Sequence, residues 1–537
     1  MAQENTKKRV AIACQGGGAH AAFAAGVLKT ILDRIQERRE YEIVALSGTS
    51  GGAICAFLAW YALLKHNNEQ EAVKLLETFW KDDNAARLPG PGEAWEETVE
   101  LLETFWKKGS VACWPGEAWI ANNFVKTVTG WLENTVGIPA ANPYNIPKYA
   151  SSLPPLHSPD YWQDQLKTLI EKKANKELIE KRVASSDLGP MLYIGAANPI
   201  TGEFQVFRSH KPEDNHQLAA TDENQESFVF NRSPNDGISV EAVLASAAIP
   251  SLFKAVHTGK AVYWHSSQQR NVRPYIDEGV YWDGLYSSNP PIRQLANSNP
   301  DEIWVIQINP EEIDEEPKRT GVIEDRRNEL AGNLSLNQEL SFVRETNQLI
   351  RTHNIPKKTI KVRRIELTRP LDYASKLDRD AAFIKELMDK DGKEEATPFL
   401  EALAVLSTFE RVWEEALRNK EQGDVEDVVD DVMSLFADDA EVILAPPTGS
   451  SASERCYESE EDIRQCVQWC LDWNFNLEQA RYYRVVDEKK ISWWMLVSTD
   501  RFDFPVKGRT EVLIEEGKIK RFTFYPLDMK TVEILHG

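Results

Sequence analysis

The sequence predicts an α/β domain followed by a smaller α+β domain, on three observations. Twice near the start, a strand-like apolar run enters a glycine-rich turn and leaves as an apolar helix. The chain has 537 residues, too many for one small core, so two or three domains are expected. After residue 424 a helical stripe gives way to segments in which apolar and polar residues alternate, the pattern of an antiparallel sheet.

The first unit runs from the apolar stretch Arg9 to Cys14, through Gly16, Gly17 and Gly18, into the small-residue helix opened by Ala22 and Phe23. Bare backbone N–H groups at a helix N-terminus form an anion cradle, and the helix dipole favours negative charge there. Such a cradle serves a phosphate or an oxyanion. Gly16, Gly18 and Ala21 fit the dinucleotide pattern G-x-G-x-x-G/A, which is weak alone, and no P-loop is present.

The second unit joins the strand Tyr41 to Leu46 to the helix Ala53 to Trp60 through Gly48-Thr49-Ser50-Gly51-Gly52. A serine on a sharp strand-to-helix turn between spaced glycines is the arrangement of a nucleophile elbow. The alternative is a Gly/Ser loop that merely turns the chain. Beside a serine of this kind, the cradle is most economically an oxyanion hole. A serine also needs a base. The nine histidines show no helpful spacing. Asp283, on an Asp-Gly turn after Tyr281 and Trp282, stands out among the carboxylates, although Asp-Gly also favours an ordinary turn.

Taken in order, Gly16-Gly17-Gly18, Gly48-Thr49-Ser50-Gly51-Gly52 and Asp283-Gly284 resemble the patatin-like phospholipases, over about residues 8–400. The segments Ala245 to Pro250 with Phe253, and Gly195 to Glu203, extend the likeness. The resemblance implies a three-layer α/β/α domain and a serine–aspartate dyad without a catalytic histidine, cleaving acyl esters of lipids through an acyl-enzyme. Ser50 would be the nucleophile and Asp283 its base. Gly16, Gly17, Gly18 and Gly51 would line the oxyanion hole, with donors around Gly17, Gly18 and Gly51. No cofactor and no metal are implied. Many members carry a basic residue after the glycine triplet, whereas Ala19 and His20 stand here; His20 is read as a bystander. The alternatives are a catalytically silent lipid-binding or scaffold protein, and a nucleotide-binding enzyme using Gly16 to Ala21.

Between the elbow and a proline-rich stretch, Leu75 to Lys81 recurs as Leu101 to Lys107, and Pro91 to Trp95 as Pro115 to Trp119. This reads as a duplicated helical insertion over 71–119, with Leu75/Phe79 and Leu101/Phe105 as its buried face. Two roles are open for it, a lid over the Ser50 cleft or a structural insertion elsewhere. Arg326 to Glu345 and Ser375 to Asp380 read as peripheral, solvated helices. A helical linker is expected at 401–423. From 424 to 537 the sequence is similar to the nuclear-transport-factor-2-like (SnoaL-like) cone, an α+β fold whose members dimerise or enclose a small ligand. Trp469, Trp473, Trp493 and Trp494 would line a pocket or fill a core.

Composition excludes some classes. With 62 Lys and Arg against 84 Asp and Glu, the net charge of −22 repels nucleic acid. A lipid or acyl ester is the expected substrate, with peripheral membrane contact and a homodimer through the C-terminal domain as expected associations. The polar start Met1 to Lys8 has no secretory apolar region, and Ile54 to Leu64 is far shorter than the ~18 residues of a membrane span. A cytoplasmic protein is expected. Six cysteines are too sparse for a disulfide framework, and Cys466 and Cys470 lack a histidine partner for a metal.

Overall fold

The computed structural model describes residues 7–38, 40–66, 69–81, 160–184, 189–210, 237–250, 253–263, 275–318, 320–353, 355–371, 375–376, 378, 380–419, 425–444, 455–472, 476–487, 490–498 and 506–526. Eight strands form the first sheet: β1 (Lys8–Cys14), β2 (Tyr41–Gly48), β3 (Met191–Ala197), β4 (Phe204–Arg208), β5 (Val256–Tyr263), β6 (Tyr275–Asp283), β7 (Glu302–Gln307) and β8 (Lys361–Glu366). Their order is β5-β6-β3-β2-β1-β7-β8, with β4 also paired to β3. Strands β3, β2, β1, β7 and β8 are parallel, while β4 and β6 run antiparallel to β3.

Both faces of this sheet are buried, as near-continuous apolar strands require. Along β1, Val10, Ile12 and Cys14 enter one apolar cluster, and Ala11 and Ala13 enter another. The first cluster is covered by α1 (Ala21–Arg38), α2 (Gly51–His66), α3 (Glu69–Lys81), α4 (Asp160–Lys173), α5 (Lys176–Ala184) and α6 (Val240–Ser246). The second is covered by α7 (Thr320–Thr352), through Leu336, Leu340 and Val343. The result is the three-layer α/β/α arrangement expected from the sequence. No helix among the described residues is long and apolar enough to cross a membrane. The apolar α2 is instead enclosed by protein, with Ala53 to Leu63 buried throughout.

Two expectations about helices change. Arg326 to Glu345 belongs to the single helix α7, and its polar residues are not all solvated: Asp325, Glu329, Asn333, Ser335 and Glu339 are buried. In the first copy of the repeat, which falls in α3, Leu76 and Phe79 are the buried pair and Leu75 is only partly covered. An i,i+3 pair, not the i,i+4 pair, therefore faces α1 and α2. The second copy, the proline-rich stretch and Cys113 lie outside the described residues.

After α8 (Ala381–Lys385) a π-helical turn, Glu386–Asp391, leads directly into α9 (Gly392–Asn419). α1 crosses this segment closely. A Cβ on Gly26 would stand 2.1 Å from the Met388 carbonyl oxygen, so only glycine fits. α9 is continuous across residue 400, where the sequence placed a boundary. Its first half packs on α1. Its second half carries Phe409 and Trp413, stacked at 5.9 Å, against Phe436 and Phe522 of the C-terminal unit.

That unit contains α10 (Val425–Met433), β9 (Phe436–Leu444), β10 (Arg455–Tyr457), α11 (Glu460–Asp472), β11 (Asn476–Asp487), β12 (Lys490–Ser498), β13 (Val506–Glu515) and β14 (Lys518–Pro526). Six strands order as β10-β9-β14-β13-β12-β11, antiparallel except for the β14–β9 pair. The alternating segments read after residue 424, Arg481 to Val486, Ser492 to Ser498, Thr510 to Glu515 and Lys518 to Tyr525, fall in β11 to β14. Strands β9 and β10 and the helix α11 were not among those segments; β10 is only three residues long.

Candidate active site

The β2–α2 turn has the strained geometry of an elbow. Ser50 adopts φ +55, a left-handed conformation that a side chain rarely accepts. Neighbouring bonds hold it there: the Ala53 N–H reaches the Thr49 and Ser50 carbonyls at 3.2 and 2.9 Å. The Ser50 N–H donates to Ser246 Oγ at 3.0 Å, and Ser246 Oγ donates to the Gly195 carbonyl at 2.6 Å. Ser246, at the end of α6, thus ties the elbow to β3. Gly52 is required for space, since a Cβ there would lie 2.4 Å from the Cys14 oxygen and 2.5 Å from that of Gln15.

The glycine turn after β1 leans directly on this elbow. A Cβ on Gly16 would be 2.7 Å from Ser50 Cβ, and one on Gly51 would be 2.7 Å from the Gly18 oxygen. Accounting for the N–H groups separates the four glycines. Gly16 donates to Asn289 Oδ1 at 2.7 Å, so its N–H is occupied and its contribution is the close approach. Gly16 was expected to line the hole, with the donors placed at Gly17, Gly18 and Gly51; its own N–H is taken by Asn289. The N–H groups of Gly17, Gly18 and Gly51 have no hydrogen-bond acceptor among the described residues. They are available to an oxyanion.

Asp283 reaches Ser50 through sheet topology. β2 ends at Gly48 opposite Ile194, and β6 pairs with the next residues of β3, Ala196 with Asp283 and Ala197 with Trp282. Because β4 occupies the other edge of β3 at the same residues, β6 takes over the edge that β2 vacates when the chain turns at Ser50. Asp283 is therefore delivered beside the serine from residues far along the chain. It is 1 % exposed. Its Oδ1 accepts the Leu285 N–H at 2.8 Å, which starts a short 3-10 turn. Its Oδ2 is buried without a well-formed hydrogen bond. Burial pushes the carboxyl up to about 7, against the smaller opposing effects of the Ser50 hydroxyl and the Leu285 N–H. The Ser50 hydroxyl is thus near enough to act on the carboxyl, while Oδ2 makes no formed hydrogen bond. Catalytic hydrogen bonds often form fully only once substrate is bound.

A carboxyl poised near 7 can both take and return a proton at neutral pH. His20 cannot add positive charge to the site. It is buried, bonded through Nε2 to Ser375 Oγ at 2.8 Å, and lowered to about 3 by burial and by Lys376 and Arg369. Of the other described histidines, His210 bonds Tyr193 and is likewise lowered, to about 4, by burial, Arg182 and Arg208.

Several supporting residues gave no separate signal in the sequence. Thr49 Oγ1 donates to the Ser288 carbonyl at 2.6 Å. Gln15 Oε1 accepts the N–H groups of Ile308 and Asn309, both at 2.8 Å, and its Nε2 donates to Asn333 Oδ1 at 3.1 Å. The only available hint was position, next to a glycine turn or to Asp283. In the C-terminal unit, Trp469 packs partly buried against the core. Trp473 and the side chains of Trp493 and Trp494 lie outside the described residues. Cys466 and Cys470 are free thiols on α11, and among the described residues no three His, Cys, Asp or Glu side chains gather as a metal site.

The family model described as patatin-like phospholipase matches residues 12–296. No curated protein matches the chain. Among solved structures, a steroid delta-isomerase from Pseudomonas aeruginosa is similar at 14% identity and TM-score 0.19, over 25% of this chain and 86% of that one. A nuclear-transport-factor-2-like protein of unknown function from Cytophaga hutchinsonii is similar at 8% identity and TM-score 0.18, over 24% of this chain and 91% of that one. Likenesses of this size carry no argument about chemistry.

Proposed function

Because the chain belongs to the patatin-like phospholipase family, we propose that it hydrolyses carboxylic esters of lipids through a covalent acyl-enzyme on Ser50, with Asp283 as the base. The observation that carries this reading is the pairing of a strained, left-handed Ser50 with a buried carboxyl whose Oδ2 is uncommitted. In the first step the Ser50 hydroxyl proton passes to Asp283 as Oγ bonds to the ester carbonyl carbon. The carbonyl oxygen becomes an oxyanion, which the N–H groups of Gly17, Gly18 and Gly51 receive. Collapse breaks the carbon–oxygen bond to the alcohol, which leaves with the proton from Asp283. Water then attacks the acyl carbon, giving a proton to Asp283 that returns to Ser50 Oγ as the fatty acid departs.

A carboxylate does this work in place of histidine because burial has raised its basicity toward that of an imidazole. Lipid substrates also make peripheral contact with a membrane part of this proposal. A cytoplasmic location, and pairing of subunits through the C-terminal unit, are carried forward as proposals from the sequence. The test compares wild type with Ser50→Ala and Asp283→Asn on a soluble fatty-acyl ester. Both variants are expected to lose activity by at least about 10³-fold; equal turnover by all three proteins would end the dyad reading.

A further inference from the structure

We propose that Asn289 is a positioning residue, which holds the glycine turn in register with the serine elbow and so aims the oxyanion donors. The inference rests on the hydrolase reading above. Asn289 is fully buried in the loop that follows Asp283. Its Oδ1 accepts the Gly16 N–H at 2.7 Å, and the carbonyl just before it, that of Ser288, accepts Thr49 Oγ1 at 2.6 Å. Two consecutive residues of one loop therefore grip the residue preceding Gly17 and the residue preceding Ser50.

The grip is anchored from behind by α7. Ser335 Oγ accepts the Asn289 N–H at 3.1 Å and donates to the Ser287 carbonyl at 2.8 Å. Asn289 Nδ2 makes no hydrogen bond. It lies against the α7 backbone, where a Cβ on Gly332 would approach it to 2.9 Å. The loop bearing the base thus holds the turn bearing the oxyanion donors through the Asn289 side-chain amide, and the elbow bearing the nucleophile through the Ser288 carbonyl just before it. Asn289 itself donates nothing toward Ser50, so it acts through Gly16. The peptide planes that point the Gly17 and Gly18 N–H groups begin at Gly16, and a displacement of about 1 Å at such donors costs up to about 10²-fold in rate. An oxyanion exists only after attack, so the loss falls on kcat and leaves KM alone.

The experiment uses the full chain with Asn289→Ala and, as a second variant, Gly332→Ala. Alanine is a better helix former than glycine, so Gly332→Ala keeps α7 while pressing on Asn289. A fluorophosphonate titrates the fraction of reactive Ser50, and kcat and KM on a soluble fatty-acyl ester are expressed per titrated site. For Asn289→Ala, kcat per site is expected to fall about 10- to 100-fold with KM within about twofold. Binding of a fatty-acyl trifluoromethyl ketone, which forms the oxyanion adduct, is expected to weaken by the same factor. Gly332→Ala should give the same signature more weakly. A purely structural role would lower the titrated fraction and leave kcat per site unchanged; that result in both variants, or a rise in KM alone, overturns the proposal. Should Asn289→Ala fail to fold, Gly332→Ala decides. A wild type whose Ser50 is not labelled would sink the hydrolase reading and this one together, whereas a labelled wild type with unaffected variants sinks this one alone.

Discussion

Asp283→Asn is expected to remove activity and, at alkaline pH, to make the protein more stable. In the folded chain burial raises the carboxyl from its ordinary 3.8 to about 7. Between those values the folded state holds a proton that the unfolded state has released, so wild-type stability falls as pH rises through this window, and levels off above it. A difference of about 3 pH units corresponds to about 4 kcal/mol, as an upper figure for a fully enclosed carboxyl. Asparagine keeps an acceptor for the Leu285 N–H, which Oδ1 now receives at 2.8 Å, and it never ionises. The variant's advantage should therefore be near zero at pH 4 and grow to between about 1 and 4 kcal/mol at pH 8. Paired urea titrations of both proteins at several pH values measure it, and the difference cancels every other titrating group. An advantage that does not grow between pH 4 and pH 8 would refute the reasoning, since it would mean that water or a partner already stabilises the carboxylate.

The same raised carboxyl predicts the rate profile: kcat/KM on an uncharged ester should fall about tenfold per pH unit below about 7, because only the ionised base accepts the serine proton; a flat profile from pH 5 to 8 would exclude Asp283 as the base. Away from the site, Arg363 is fully buried and bonds Glu302 at 3.1 and 3.2 Å and Glu410 at 3.2 Å. Arg363→Ala would leave Glu302, held well below its ordinary range chiefly by Arg363 and Lys8, short of a partner in the core. A loss of about 3–5 kcal/mol is expected by urea unfolding, with kcat per titrated site unchanged in the protein that remains folded.

Much of the candidate site was legible because it depends on local turn chemistry. Ser50 sits between Gly48 and Gly52 because no side chain fits at those positions, and a pattern forced by short-range sterics survives in the sequence. What could not be read was how polar groups far apart in sequence satisfy one another. Nothing in the sequence showed that the N–H of Gly16 is held by Asn289, far along the chain. α7 looked solvated because charged and amide residues usually face water, yet Ser335 and Glu339 point inward to N–H groups of Asn289, Ile292 and Arg293. Composition records which polar groups a helix carries, not which loop backbone it will meet.

By itself the sequence determined the α/β class, the alternating C-terminal strands and the glycine-flanked turn that carries Ser50, and it singled out Asp283 as the candidate base. The tertiary structure alone decided that β6 enters the edge of β3 where β2 ends, setting Asp283 beside Ser50. It also decided how deeply the carboxyl is buried, which raises it from 3.8 to about 7. Both follow from long-range packing, because desolvation is a property of the surroundings that the folded chain assembles around a residue, and no residue carries its surroundings in its own identity.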